Sequence, residues 1–161
     1  MKPFQRILMA TDFSEASLPA WKRALAMAKE NWAALFVVHA YEPPNVVQAE
    51  AVAPGVYEEW DQNVRASVIK KLDLLVNEAK KAGVNTTRIV EAGNPEESIV
   101  KAAEDYEADL IIMGTHGRKG VSRIFLGSVA SRVIATAPCA VLTVRLPEAA
   151  IFHKKVAAGS F

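Results

Sequence analysis

The sequence predicts a doubly wound α/β fold, a three-layer α/β/α sandwich around one five-stranded parallel sheet. Short apolar runs alternate with stretches of helical period along the chain, the pattern of repeated βαβ units. Two of the runs, residues 35–40 and 108–113, are chiefly apolar on both faces, as strands covered by helices on two sides are. The second of them leads into a glycine-bearing loop, Gly114, Gly117 and Gly127-Ser128, which opens a helix at Val129.

Residues 7–10 are short and apolar, stop at Thr11-Asp12, and form the expected first strand. Ser14 and Ser17 both suit the N-cap of the helix that follows. Leu18, Trp21, Leu25, Ala28 and Trp32 recur at steps of three and four, predicting one buried stripe, with Pro19 tolerable in the first turn. Residues 35–40 make the second strand. The stretch from Pro43-Pro44 to Pro54-Gly55 is a long loop, of a length that is usually functional or mobile. The longest helix comes next, with Trp60, Val64, Val68, Leu72, Leu75 and Ala79 on one face and an end near Gly83. Residues 87–91 form a less apolar third strand, suited to a sheet edge. Asn94-Pro95-Glu96-Glu97 is a helix start, with a cap, proline at the first position and acids at the positive end. The strand–loop–helix of residues 108–134 follows, Pro138 closes that helix, and residues 140–144 are the fifth strand.

Right-handed crossovers and helices on both faces predict the strand order 3-2-1-4-5. Its switch point lies between strands one and four, where ligands bind beyond the carboxyl ends. Asp12 and Gly114 therefore face each other across one crevice, although about a hundred residues separate them.

A strand, a glycine loop and a helix N-terminus make a phosphate cradle: glycine admits the anion to the backbone, and the N–H groups and helix dipole favour negative charge. The spacing G-x2-G-x9-G-S is neither a Walker loop, since the chain has no Gly-Lys pair, nor G-x-G-x-x-G. The alternative is a long loop whose glycines serve only turns. The helix start and the basic residues Arg118, Lys119 and Arg123 favour phosphate, and at least one of these cations is expected to offset the γ-phosphate. Asp12 suits either a turn cap or an adenine amine or ribose hydroxyl. Ser128 serves as N-cap, phosphate donor or both. His116 is read as a loop histidine near phosphate, since no partner is placed by sequence to orient it for catalysis. His39 ends a buried strand and reads as packed more readily than as a ligand. The single cysteine, Cys139, reads as a small packed hydrophobe and excludes an internal disulfide.

At 161 residues, 51% hydrophobic and 23% charged, the chain suits one soluble domain over residues 1–146 with a tail at 147–161, either interface-forming or flexible. Nineteen basic and eighteen acidic residues give net +1, which argues against a nucleic-acid partner. No apolar run approaches the roughly 20 residues of a membrane span, so no membrane insertion is expected. The N-terminus runs straight into a strand, so the expectation is no signal peptide and a cytoplasmic location.

The segments at residues 7–14, 108–117, 127–129 and 138–145 resemble the universal stress protein family, and the similarity runs from about residue 4 to 145. The resemblance implies an adenine-nucleotide α-hydrolase-like fold and, with the complete G-x2-G-x9-G-S signature, the ATP-binding subclass. It implies that Asp12 contacts the adenosine, that Ala10, Thr11, Val38 and His39 line the base pocket, and that Met113, Gly114, Gly117, Gly127, Ser128 and Val129 hold ribose and phosphates. His116 and Arg118 join that set from the loop. Many relatives carry proline or valine where Ala10 stands.

The functional expectation is an ATP-binding regulatory module of the stress response, with Mg2+ bridging phosphate oxygens, a homodimer paired through strand five (residues 140–144), and an unidentified regulatory protein partner. The alternatives are a slow ATPase or adenylate-transferring enzyme, and an interaction protein that binds no nucleotide. Efficient hydrolysis needs a positioned water and a charge clamp, and no residue stands out for the first task.

Overall fold

The computed structural model describes residues 4–44, 55–115 and 126–146. Its five strands are β1 (Arg6–Ala10), β2 (Ala34–Tyr41), β3 (Thr86–Ala92), β4 (Leu110–Gly114) and β5 (Ala140–Val144). The helices are α1 (Leu18–Asn31), α2 (Val56–Lys81), α3 (Pro95–Asp105) and α4 (Ser128–Thr136), with a 3-10 turn over Glu15–Ser17 before α1. The strands form one sheet in the order β3-β2-β1-β4-β5, and every neighbouring pair is parallel. This is the expected α/β architecture and order.

Alternation along the strands divides the core into two layers. Ile7, Met9, Leu35, Val37, Leu110 and Ile112 face α1 and α2, where Trp21, Ala24, Val68 and Leu72 cover them. Leu8, Ala10, Phe36, Val38, Ile111 and Met113 face α3 and α4, against Ile99, Ala102, Ala103, Ala130 and Val133. Burying apolar residues on both faces of β1, β2 and β4 is what the continuous apolar runs require. At the amino end, Asp109 precedes β4, and its carboxylate accepts from the N–H groups of Gln5 (2.7 Å) and Arg6 (3.1 Å), tying the start of β1 to that of β4.

The α3 start follows its signature: the Asn94 side chain accepts from Glu97 N–H, and Pro95 opens the helix. The α2 face at Trp60, Val64, Val68, Leu72, Leu75 and Ala79 packs on the core as expected, and Gly83 turns with φ +78° just beyond the helix. Two expectations for α1 fail. Leu18 is 49% exposed, and Trp32 is 95% exposed as the C-cap in the left-handed conformation, so the buried stripe is carried by Ala20, Trp21, Ala24 and Ala28. The apolar spacing runs one residue past the helix end: a reversed φ swings the Trp32 side chain out of register with the helical stripe. Neither Ser14 nor Ser17 caps through its side chain. The Ser17 hydroxyl instead donates back to the Ser14 carbonyl at 2.7 Å.

Candidate functional site: the crevice at the carboxyl end of the sheet

β1 and β4 lie side by side at the centre, so their ends define the switch point where helix connections leave the sheet in opposite directions. The register places Val38, Ala10 and Met113 in one row across β2, β1 and β4. All three are buried in the α3/α4 layer, with Val129 of α4 packed against it. Pairing runs one residue past two strands: Thr11 N–H donates to Val38 O at 3.0 Å and Thr115 N–H to Val144 O at 3.1 Å. The sequence-distant residues Ala10, Thr11, Val38, Met113 and Gly114 therefore meet at one edge of the crevice.

The turn after β1 is held from within. The Ser17 hydroxyl proton is committed to Ser14 O, so the Thr11 hydroxyl donates to Ser17 Oγ at 3.1 Å and accepts from Phe13 N–H at 3.0 Å. Asp12 Oδ1 accepts from both Ser14 N–H (2.9 Å) and Ser14 Oγ (2.6 Å), an Asx turn that fixes the carboxylate at the crevice mouth. Phe13 takes φ +61°, which sends its ring to the opposite side of the turn, onto His39 at 4.5 Å between centroids.

His39 is buried, and its Nδ1 lies 2.7 Å from Thr11 O. A carbonyl only accepts, so Nδ1 carries the proton. The ring stands against Phe13 and lines one cavity with Tyr41 and Trp60 on the α2 side of the sheet, whereas Ala10, Val38 and Met113 point to the α3/α4 side. The packed reading of His39 is what the structure displays.

At the other wall, Gly127 N–H donates to Thr115 O at 2.8 Å, and Gly127 O accepts from Ser131 N–H at 2.9 Å. Gly127 is thus the N-cap of α4, and Ser128, expected at that position, is the first helical residue. Glycine supplies no capping oxygen, so the N–H groups of Ser128, Val129 and Ala130 are left to an acceptor from outside the helix. Gly127 has φ −60° and ψ 153°, values open to any residue, so its backbone conformation does not demand glycine. His116, Gly117, Arg118, Lys119 and Arg123 lie outside the described residues, as does the tail at 147–161.

Among the described residues no cluster of three His, Cys, Asp or Glu side chains is placed to hold a metal ion, and no helix is long and apolar enough to cross a membrane. The Cys139 thiol is pushed above its ordinary range, chiefly by burial and then by Asp109, which disfavours the reactive thiolate. Sequence reasoning missed Phe13, Ser17 and Thr115 as parts that shape the crevice. Only the position of Phe13 directly after Asp12 hinted at such a role.

A parallel five-stranded sheet with a glycine-capped helix at its switch point defines a doubly wound α/β protein. The chain belongs to the universal stress protein family, whose sequence pattern matches residues 3–145. It is 36% identical over 145 residues to universal stress protein MJ0531 of Methanocaldococcus jannaschii, covering 90% of this chain and 84% of that one. The solved structure of MJ0577, from the same organism, is similar with a TM-score of 0.79 at 30% identity, over 90% of this chain and 98% of that chain. A universal stress protein solved in complex with cAMP is similar with a TM-score of 0.67 at 26% identity, over 89% of this chain and 98% of that chain.

Proposed function

We propose that this chain is an ATP-binding regulatory module, taking the nucleotide across the crevice between Asp12 and the helix start at Gly127-Ser128. The observation that carries this reading is the glycine cap of α4: three N–H groups at the positive end of a helix, beside the end of β4, suit an anion. Ala10 is the small member of the buried row with Val38 and Met113, which suits a flat base above it, and Asp12 suits the adenosine. The relative solved with cAMP supports an adenine nucleotide as the ligand class. Mg2+ would be held by the phosphate oxygens themselves. The module is placed in the cytoplasm, where a regulatory protein would read its nucleotide state.

Mass spectrometry of the purified protein for retained nucleotide, then isothermal titration with ATP, tests this. Gly127→Val is expected to abolish measurable binding while the fold survives. Unchanged affinity in a folded Gly127→Val overturns the placement. Hydrolysis is expected to be absent or far below the roughly 1–100 s⁻¹ of kinases, with His116→Ala changing affinity more than turnover. Phosphate release within seconds, abolished by His116→Ala, would make the histidine catalytic.

The same reading includes a homodimer. Among the described residues β5 is the outer strand and pairs only with β4, and Val141, Leu142, Thr143 and Val144 are half-buried. An apolar edge of this kind invites pairing, and an antiparallel match across a two-fold axis satisfies its open N–H and C=O groups. Sedimentation at micromolar concentration is expected to give a dimer that Val141→Lys or Leu142→Lys dissociates; a wild-type monomer overturns it.

A further inference from the structure

A second cavity opens on the other side of the Thr11–Phe13 turn, under the amino-terminal half of α2, with a volume of about 420 Å³. That is within the roughly 300–1,000 Å³ of small-molecule sites. Two ridges of α2 build it, each stepping by four residues. Trp60, Val64 and Val68 form the apolar wall, and the exposed Asn63, Ser67 and Lys71 form the rim. The facing wall is aromatic: Phe13 and His39 stand 4.5 Å apart, and Tyr41 meets the Trp60 ring edge-on at 6.3 Å. Lower down α2 the same inward face, at Leu72 and Ala79, is sealed against the core without such a gap.

Among the described lining residues, the rim carries one cation, Lys71, with two neutral partners, Asn63 and Ser67. Lys71 Nζ lies 5.3 Å from the centre of the Phe13 ring, so the ammonium is held beside an aromatic floor. Asp61, a carboxylate on this part of α2, accepts from the Tyr41 hydroxyl at 2.6 Å, and Arg65 acts on the same hydroxyl, so both are engaged at Tyr41. One ammonium beside an amide and a hydroxyl matches a single negative charge, and flat rings on the facing walls match a planar ring.

We infer that this cavity is a binding site for a small planar aromatic carboxylate, distinct from the nucleotide crevice. Its ring lies between the Phe13–His39 pair and Trp60, and its carboxylate meets Lys71, with Asn63 and Ser67 as further donors. Phe13 and Asp12 are neighbours in one turn that separates the two sites, so the aromatic ligand and a nucleotide occupy opposite sides of it.

The probe is 2-naphthoate, titrated calorimetrically into the full chain and followed in parallel by Trp60 fluorescence, with Trp60→Phe assigning the signal. One molecule is expected to bind per chain. Lys71→Gln, an exposed helix position whose fold is checked by circular dichroism, is expected to weaken binding about tenfold or more, the loss of one charge-assisted contact. The neutral 2-naphthamide is expected to bind wild type about as weakly as 2-naphthoate binds Lys71→Gln, and saturating ATP is expected to leave 2-naphthoate bound. Absence of binding at about 1 mM probe, an unchanged affinity in Lys71→Gln, or displacement by ATP each overturns the site. A chain that takes 2-naphthoate in this manner but no ATP loses the nucleotide reading and keeps this one.

Discussion

The two faces of the sheet solve the same problem with opposite materials. Toward α3 and α4 the helices approach on alanines, Ala102, Ala103 and Ala130, and the strand ends finish in Ala10 and Gly114. Toward α1 and α2 the upper layer is built of Phe13, Tyr41 and Trp60 around an open cavity. Small side chains bring backbone close to the space above them, so the first face offers N–H groups and suits phosphate. Large rings hold backbone away and offer flat walls, so the second suits a planar group. One sheet thereby presents a backbone-lined crevice and a side-chain-lined pocket, with the Thr11–Phe13 turn between them.

Core truncation separates the two faces most strongly. Ile111 is fully buried in the tightly packed α3/α4 layer, so Ile111→Ala should cost about 2–5 kcal/mol. Val64 borders the cavity and is only partly buried, so Val64→Ala should cost about 1 kcal/mol, since fewer contacts are lost. Urea unfolding with unchanged slope measures both. Equal losses would mean that the cavity side is as closely packed as the other, and the contrast between the faces would fall.

Tyr41 sharpens the comparison from the cavity side. Its hydroxyl donates to Asp61, and its pKa is raised above 10.0, first by burial and then by the Asp61 carboxylate. A raised folded pKa gives stability that is complete below the unfolded value and is lost as pH rises through the folded one. Wild type should therefore lose stability above about pH 10, and Tyr41→Phe should flatten that decline while costing about 1 kcal/mol at neutral pH. In a phenolate absorbance titration, the component lost in Tyr41→Phe should ionise above pH 10.0. An alkaline decline that is the same in Tyr41→Phe would remove Tyr41 as its source.

The strands, their order and the α3 start were legible because each is written locally: continuous apolar runs for β1, β2 and β4, and a cap with proline at Asn94-Pro95. The meeting of the β1 and β4 ends was legible because the topology follows from those runs and sets Ala10 beside Met113 without any knowledge of contacts. What stayed hidden depends on a single torsion or on empty space. Nothing in the residue type of Phe13 announces φ +61°, and the cavity exists only through the relative placement of α2 and that ring. Ser128 and Gly127 are adjacent, so a one-residue shift exchanged cap and first turn. Trp32 misled for the same reason as Phe13: apolar spacing says nothing about a sign change in φ.

That last position gives the smallest effect and the one with opposite sign. Trp32 ends α1 at φ +55°, and its N–H is donated back to the helix. A left-handed conformation costs an L-residue with a Cβ roughly 1–2 kcal/mol, and glycine escapes it. The indole is 95% exposed, so its removal forfeits almost no burial. Glycine loosens the unfolded chain, which offsets part of the relief. Trp32→Gly should therefore stabilise the protein by about 0.5–1 kcal/mol, read as a higher urea midpoint and melting temperature. Trp32→Ala keeps the Cβ and should show little of that gain. A stabilisation equal in the two variants would assign the effect to loss of the exposed ring, and a destabilisation in both would mean that the indole makes a contact which its exposure does not reveal.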